Sequence, residues 1–332
     1  MVRVLFGVVC LKAVLAVSAT PVPSDELRPG LRLGAPLTYR QLTVLPVLAD
    51  GQAPPMADYL TLAAGLERKE VVVKEAGEGG QVNQVTVANR SARALLLLGG
   101  EVILGGQQDR IIGKDTIVSP RTTVAVQVFC VEHGRWSGGA QFNSVGGMAE
   151  GKIRVRAKYR SDQGEVWDEV AKKNASLGAQ SQSGTYRLIA SGDAGRKAAA
   201  PYRESILSGL KAMPGAERVV GVVAALNGRI VSADIFDSPG LFQAYRDRLL
   251  DSLFITAADE PVRADGAPLP AAADVKAFMA KADAVPATTV SEDKQGRTQE
   301  RRGKEVVNST VASPAAAGAF AKPVYQSYQR AE

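Results

Sequence analysis

Residues 99–136 read GGEVILGGQQDRIIGKDTIVSPRTTVAVQVFCVEHGRW. Within them Ile111-Ile112, Thr116–Val118 and Thr122–Val131 are short apolar runs, and Pro120-Arg121 marks a turn. Runs this short, rich in β-branched residues and broken by turn residues, predict strands rather than helices. Upstream, Leu42–Val47, Glu70–Glu75, Gln84–Ala88 and Leu95–Leu98 extend the pattern. Together they predict a β-sandwich or barrel-like sheet over residues 40–136.

The character changes after Trp136. Gly138–Gly151 is glycine-rich and reads as a mobile loop. Asp162-Gln163-Gly164-Glu165 has the form of a capping box, and Val166, Trp167, Val170 and Ala171 follow at helical spacing. Residues 178–198, rich in Ser, Gly, Ala and Gln, read as a flexible connector, and Tyr202–Met213 as an amphipathic helix. In Val219–Phe236 two apolar runs flank Asn227-Gly228, the pair that a type I′ hairpin turn prefers because both positions need positive φ. Ser238-Pro239 supplies an N-cap and an N1 proline for another helix. A helix near Asp274–Ala282, a charged loop over Ser291–Lys304 and closing strands at Val306–Ala312 and Val324–Tyr328 complete the chain. The expected fold class is α+β in one compound domain over 41–330. It has a β-rich, sandwich-like N-terminal half (41–136), a helix–hairpin–helix C-terminal half (160–260) and a closing segment (270–330).

Apolar residues make up 45% of the 332, enough for a real core, while aromatics at 5% predict a Val/Leu/Ala interior. The formal charge of +6 is mild, and the basic residues are dispersed among acids. A nucleic-acid binder concentrates them on one face, so that partner is not expected. Residues 1–19 have a short basic start at Arg3, an apolar run and the small-residue site Val17-Ser18-Ala19. They read as a signal peptide cleaved near Ala19, with residues 20–40 as a linker or irregular first strand and export to the periplasm or the extracellular space as the expectation. No run reaches the length of a transmembrane segment. Loss of the leader removes Cys10 and leaves Cys130 without an intrachain partner.

Two polar clusters stand out. Glu101, Gly105, Gly106, Gln107 and Arg110 form the first; Glu132, His133, Gly134, Arg135 and Trp136 form the second. Paired glycines let backbone approach a ligand, guanidinium groups grip anions, and an indole offers a stacking face. These types suit an anionic small molecule bound by Glu101, Gln107, Arg110, Glu132, Arg135 and Trp136. The structural alternative is an ion-paired bulge, with Trp136 in the core. Glu101 and Glu132 are also candidates for the acid and base of a hydrolase. His133 is the only histidine and Cys130 the only cysteine beyond the leader, so neither a zinc site nor a Cys–His pair is expected, and no cofactor. The glycines lack the strand–GxGxxG–helix context and the Gly-Lys-Ser/Thr of phosphate loops, and no GxSxG is present.

The same residues carry a resemblance. Tyr59–Leu62, Gly100-Glu101, Gly105–Arg110, Cys130–Trp136, Gln163–Val170, the Asn227-Gly228 hairpin and the helix within Phe236–Leu250 are similar to the ARG-and-rhodanese-phosphatase-superfamily-associated protein domain family. The resemblance implies one compound domain over about 40–330. The family name implies association with ADP-ribosylglycohydrolase-type and phosphatase-type proteins and no measured activity. A nucleotide or an ADP-ribose-like ligand is therefore the implied first candidate, and a protein partner the other. The chain departs from the family at Gly99-Gly100, where Asp commonly precedes the Gly-Glu step, and at Asp109, where Asn commonly precedes the arginine.

Overall fold

The strands Leu42–Ala49 and Val219–Leu226 are buried along their whole length. A strand covered on one face alternates, whereas one covered on both reads as a continuous apolar run. In the computed structural model, which describes residues 25–51, 58–77, 81–179, 183–263, 268–314 and 320–331, these two strands pair antiparallel at the middle of a ten-stranded sheet. The expected signal segment lies outside the described residues. The helix Pro239–Ala258, capped by the Ser238 hydroxyl, lays Leu241, Phe242 and Leu249 on one face beside Val44, Val222 and Phe236. The helix Ala272–Asp283 covers the other face, with Val275 and Phe278 beside Val47, Val223 and Ile235.

The turn between Val219–Leu226 and Arg229–Phe236 has φ of +48° at Asn227 and +76° at Gly228. This hairpin does not sit in a half of its own. Leu42–Ala49, from the start of the chain, pairs on one side, and Phe320–Arg330, from its end, on the other. Periodicity reveals strands but not their partners, so the sequence separates halves that share one sheet. Of the two readings of residues 20–40, linker or irregular first strand, the structure shows the strand, broken into the short pieces Glu26–Arg28, Leu31–Leu33 and Leu37–Tyr39 that join this sheet. The charged stretch expected as a loop after Ser291 forms the edge hairpin Thr288–Asp293 and Gly296–Arg302. Charges there suit an edge, because they discourage pairing with another chain.

Of the two forms expected for residues 40–136, sandwich and barrel-like sheet, the remaining strands adopt the barrel. Arg110–Ile112, Thr123–Cys130, Gln84–Asn89, Val71–Glu75, Gln141–Met148 and Glu101–Gly105 close into a six-stranded barrel filled by side chains such as Val73, Val87, Ile103, Val126 and Phe142. The closing strand Gln141–Met148 comes from the glycine-rich stretch expected as a loop. It pairs with Glu101–Gly105 through two register shifts, and Gly105 and Gly147 there have φ of +126° and +148°. Glycine supplies the bulges that bend the strand to closure. A three-stranded sheet of Thr116–Val118, Leu95–Leu97 and Leu60–Thr61 and the helix Leu62–Glu67 contribute to the same core. Outside the barrel, Val102, Ile111 and Phe129 pack against Ile153, Val166 and Val170 of the helices Gly151–Val155 and Gln163–Ser176. The architecture is thus strand-rich α+β. No helix among the described residues is long and apolar enough to cross a membrane.

Gly221 tests the central pairing. A Cβ there would stand 2.3 Å from the Asp234 carbonyl oxygen and 2.8 Å from Ile235 Cα. Backbone cannot yield as a flexible side chain can, so Gly221→Ala is expected to cost about 1–3 kcal/mol in urea unfolding. An unchanged midpoint would show that the two strands are less closely packed.

Candidate functional site

Six-stranded closure brings the two polar clusters together at one end of the barrel. Arg110 opens one strand, opposite Cys130 at the end of the next. Its side chain is fully buried. Nη1 donates to Gln108 Oε1 at 2.9 Å and points at the Cys130 sulfur, and Nη2 lies 3.5 Å from Glu75 Oε2. Glu75 Oε1 in turn accepts from the Gln107 backbone N–H at 2.8 Å. Arg110 Nε and Nη2 and Glu75 Oε2 are buried without a hydrogen-bond partner among the described residues. Trp136 covers this guanidinium, its ring centroid 5.6 Å from Arg110 Cζ, and is itself 49% exposed. It does not lie in the core.

Arg135 serves a different purpose. Nε donates to Glu132 Oε2 at 2.7 Å, Nη1 to the carbonyls of Gly106 and Ser137 at 3.1 and 2.8 Å, and Nη2 approaches Asp109 Oδ1 at 3.3 Å. The guanidinium therefore clasps the 105–109 turn to the 132–137 turn. Gly106, with φ of +58°, fits only as glycine, since a Cβ would stand 2.4 Å from the Phe142 ring and 2.6 Å from Glu75 Oε1. Glu132 also accepts from the Ser183 hydroxyl at 2.9 Å.

Asp109 and Arg187 complete the frame, and sequence reasoning had assigned neither to it. Asp109 is fully buried and accepts Arg187 Nε and Nη2 at 2.8 and 2.7 Å. That bidentate hydrogen bonding holds the Arg187 pKa above its ordinary value. Arg187 stands at the start of the helix Arg187–Ala190, inside the stretch read as a connector, so no periodic signal marked it. Gln107 is half-buried at the rim. Burial raises the pKa of the Cys130 thiol and His133 packs edge-on against Trp167 at 4.5 Å, so the two do not form a nucleophile–base pair.

Glu101 is not part of this cluster. It begins the strand that Gly105 ends, about 13 Å away at the usual strand rise, and it faces a second polar centre. Its carboxylate accepts from the Leu98 N–H at 2.9 Å, while Oε1 has no hydrogen-bond partner among the described residues. Burial pushes its pKa up to about 7, and the Arg248 charge and the Leu98 bond only partly oppose that. Glu101 and Glu132 therefore do not face one another as acid and base.

The second centre is buried between barrel and sheet. Arg154 donates from Nε to the Gly99 carbonyl at 3.1 Å and from Nη2 to Asp234 Oδ1 at 2.9 Å, and it also bonds the Tyr325 hydroxyl. Lys158 reaches Asp115 Oδ2 at 2.8 Å and the Ser327 hydroxyl at 3.0 Å. Burial raises the Asp115 pKa, but Lys158 and Arg154 more than reverse this and hold it below the ordinary range. The sequence shows these residues only as isolated charges, because Asp115, the Arg154–Lys158 helix and Asp234 are three widely separated segments.

The Glu101 shift sets a pH dependence. The folded value near 7 lies above the ordinary 4.5, so the folded chain holds an extra proton between them. This stabilising contribution is complete below the unfolded pKa and is lost as pH rises through the folded one. Glu101→Gln is therefore expected to gain about 2–3 kcal/mol on wild type between pH 5 and pH 8 in urea unfolding. A constant difference would mean that Glu101 is ionised throughout.

The sequence model of the ARG and Rhodanese-Phosphatase-superfamily-associated Protein domain, ARPP-1, matches residues 30–320. No curated protein and no solved structure matches the chain.

Proposed function

The chain belongs to the ARPP-1 family, and from that premise we propose that it is an exported, non-catalytic binding domain that takes an anionic small molecule at Arg110. The observation that carries this reading is the state of that guanidinium. Nε and Nη2 are buried with no hydrogen bond among the described residues, beneath a half-exposed indole. Glu75 offsets the charge from 3.5 Å without accepting a hydrogen bond from it, and an unsatisfied buried donor costs about 1–3 kcal/mol. An oxyanion that displaces Trp136 and accepts from both nitrogens removes that cost, and the indole then stacks on the ligand. Gln107 and the half-exposed Arg187 border the approach.

The other predicted contacts divide between two tasks. Arg135 and Glu132 hold the turns, so they position the site. Glu101, at the far end of its strand, does not touch the ligand. That placement weighs against a hydrolase built on Glu101 and Glu132. The family description, with its association to ARG and phosphatase-type proteins, makes nucleotides and ADP-ribose the first compounds to try.

Thermal shift of the protein with ADP-ribose and nucleotides tests the reading, because a ligand of the native state raises Tm by mass action. A shift is expected in wild type and is expected to vanish in Arg110→Met. Trp136→Ala should keep the ligand-free Tm within about 2 °C of wild type, its ring being half exposed, and weaken binding about tenfold. A shift of equal size in Arg110→Met would contradict the assignment.

A further inference from the structure

A cavity of about 780 Å³ opens on the other side of the buried Arg154 centre, within the size range of small-molecule sites. None of its lining residues belongs to the Arg110 cluster. Val155, Val231 and Leu253 give it an apolar floor. Its two carboxylates are already engaged. Glu169 pairs with Lys172 at 3.1 Å and Arg156 at 3.9 Å, and Glu260 pairs with Lys152 at 3.9 Å.

Three further guanidinium groups line the cavity: Arg229, Arg263 and Arg330. None forms an ion pair among the described residues. Their placement is fixed by the hairpin turn. Asn227 Nδ2 donates to the Pro261 carbonyl at 3.0 Å, and Asn227 Oδ1 accepts from the Arg263 N–H at 3.2 Å. That clamp brings the segment after Glu260 alongside Arg229. Arg330 donates from Nε to the Ile230 carbonyl at 3.0 Å and packs its Cζ 5.6 Å from the Phe278 ring centroid. Both of its Nη groups remain available. Burial and the neighbouring Arg229 charge lower the Arg330 pKa, and Glu305, which is hydrogen-bonded to Lys281, opposes this only in part.

Like charges gathered at one cavity repel one another, and a bound anion relieves that repulsion. Guanidinium pairs favour phosphate oxygens through parallel N–H donors. We propose that this cavity is a second ligand site, one for a phosphorylated small molecule whose phosphate chain lies on Arg229, Arg263 and Arg330 and whose organic body lies on the apolar floor. The site is independent of Arg110 and goes beyond the function proposed above.

Calorimetric titration of the full protein at low salt, with ATP and with inorganic tripolyphosphate, tests this. ATP is expected to bind, at least tenfold more tightly than tripolyphosphate because only ATP has a body for the floor. The double variant Arg229→Gln/Arg263→Gln should lose at least tenfold in ATP affinity with its Tm unchanged. Arg110→Met should retain this binding event, which separates the two sites. No heat with either probe, ATP no tighter than tripolyphosphate, or undiminished ATP affinity in the double variant would each overturn the proposal. So would loss of all ATP binding in Arg110→Met.

Discussion

The buried guanidinium of Arg154 is the contact on which the rest depends. Its three acceptors come from three parts of the fold: the Gly99 carbonyl that leads into the barrel, Asp234 in the middle of the large sheet, and Tyr325 on the next strand. Lys158, on the continuation of the same helix, adds Asp115 and Ser327. Neither barrel nor sheet can leave this seam alone, because a buried charge without its partner costs about 3–5 kcal/mol. Two cations face Asp115 and Asp234, and the elevated pKa of Glu101 brings the centre close to neutrality near pH 7. Buried ion pairs contribute little net stability against apolar packing. Their effect here is to fix one docking of barrel on sheet.

That docking places both candidate sites. The barrel strands run from the Glu101 end, at the seam, to the Gly105 end, where the turns meet. The turn cluster is held by balanced charge, with Glu75, Asp109 and Glu132 against Arg110, Arg135 and Arg187. Within it only Arg110 keeps buried donors unsatisfied among the described residues. The large cavity lies beyond the seam, where Arg154 itself is committed to Asp234 and the outer arginines are not.

Much of this was legible in the sequence, for identifiable reasons. The Asn227-Gly228 turn, the Ser238 cap and the Asp162 cap depend on a few adjacent residues, and each is where local chemistry puts it. The meeting of residues 105–110 with 132–137 follows from their clustering in one stretch. Pairing between distant strands left no local trace. Gln141–Met148 reads as a loop because its glycines serve bulges, and Glu26–Tyr39 reads equally as a linker or an irregular strand because its strands are three residues long. Glu101 falls with Gly105–Arg110 by proximity in sequence, although a five-residue strand separates it from the turn and hence from Glu132. Arg154, Lys158, Asp115 and Asp234 gained meaning only from the fold, since no spacing rule links the 154–158 helix to positions 115 and 234.

Native-state hydrogen exchange of Asp234→Asn beside wild type tests the central claim most directly. In wild type the slowest amides of the barrel, such as Val73 and Ile103, and of the sheet, such as Val222 and Ala233, should share one opening free energy. In Asp234→Asn the account predicts that they separate. The sheet amides should lose about 3 kcal/mol of protection or more while the barrel amides keep most of theirs. If both sets fall together, or neither moves, the Arg154 centre is not what joins barrel to sheet.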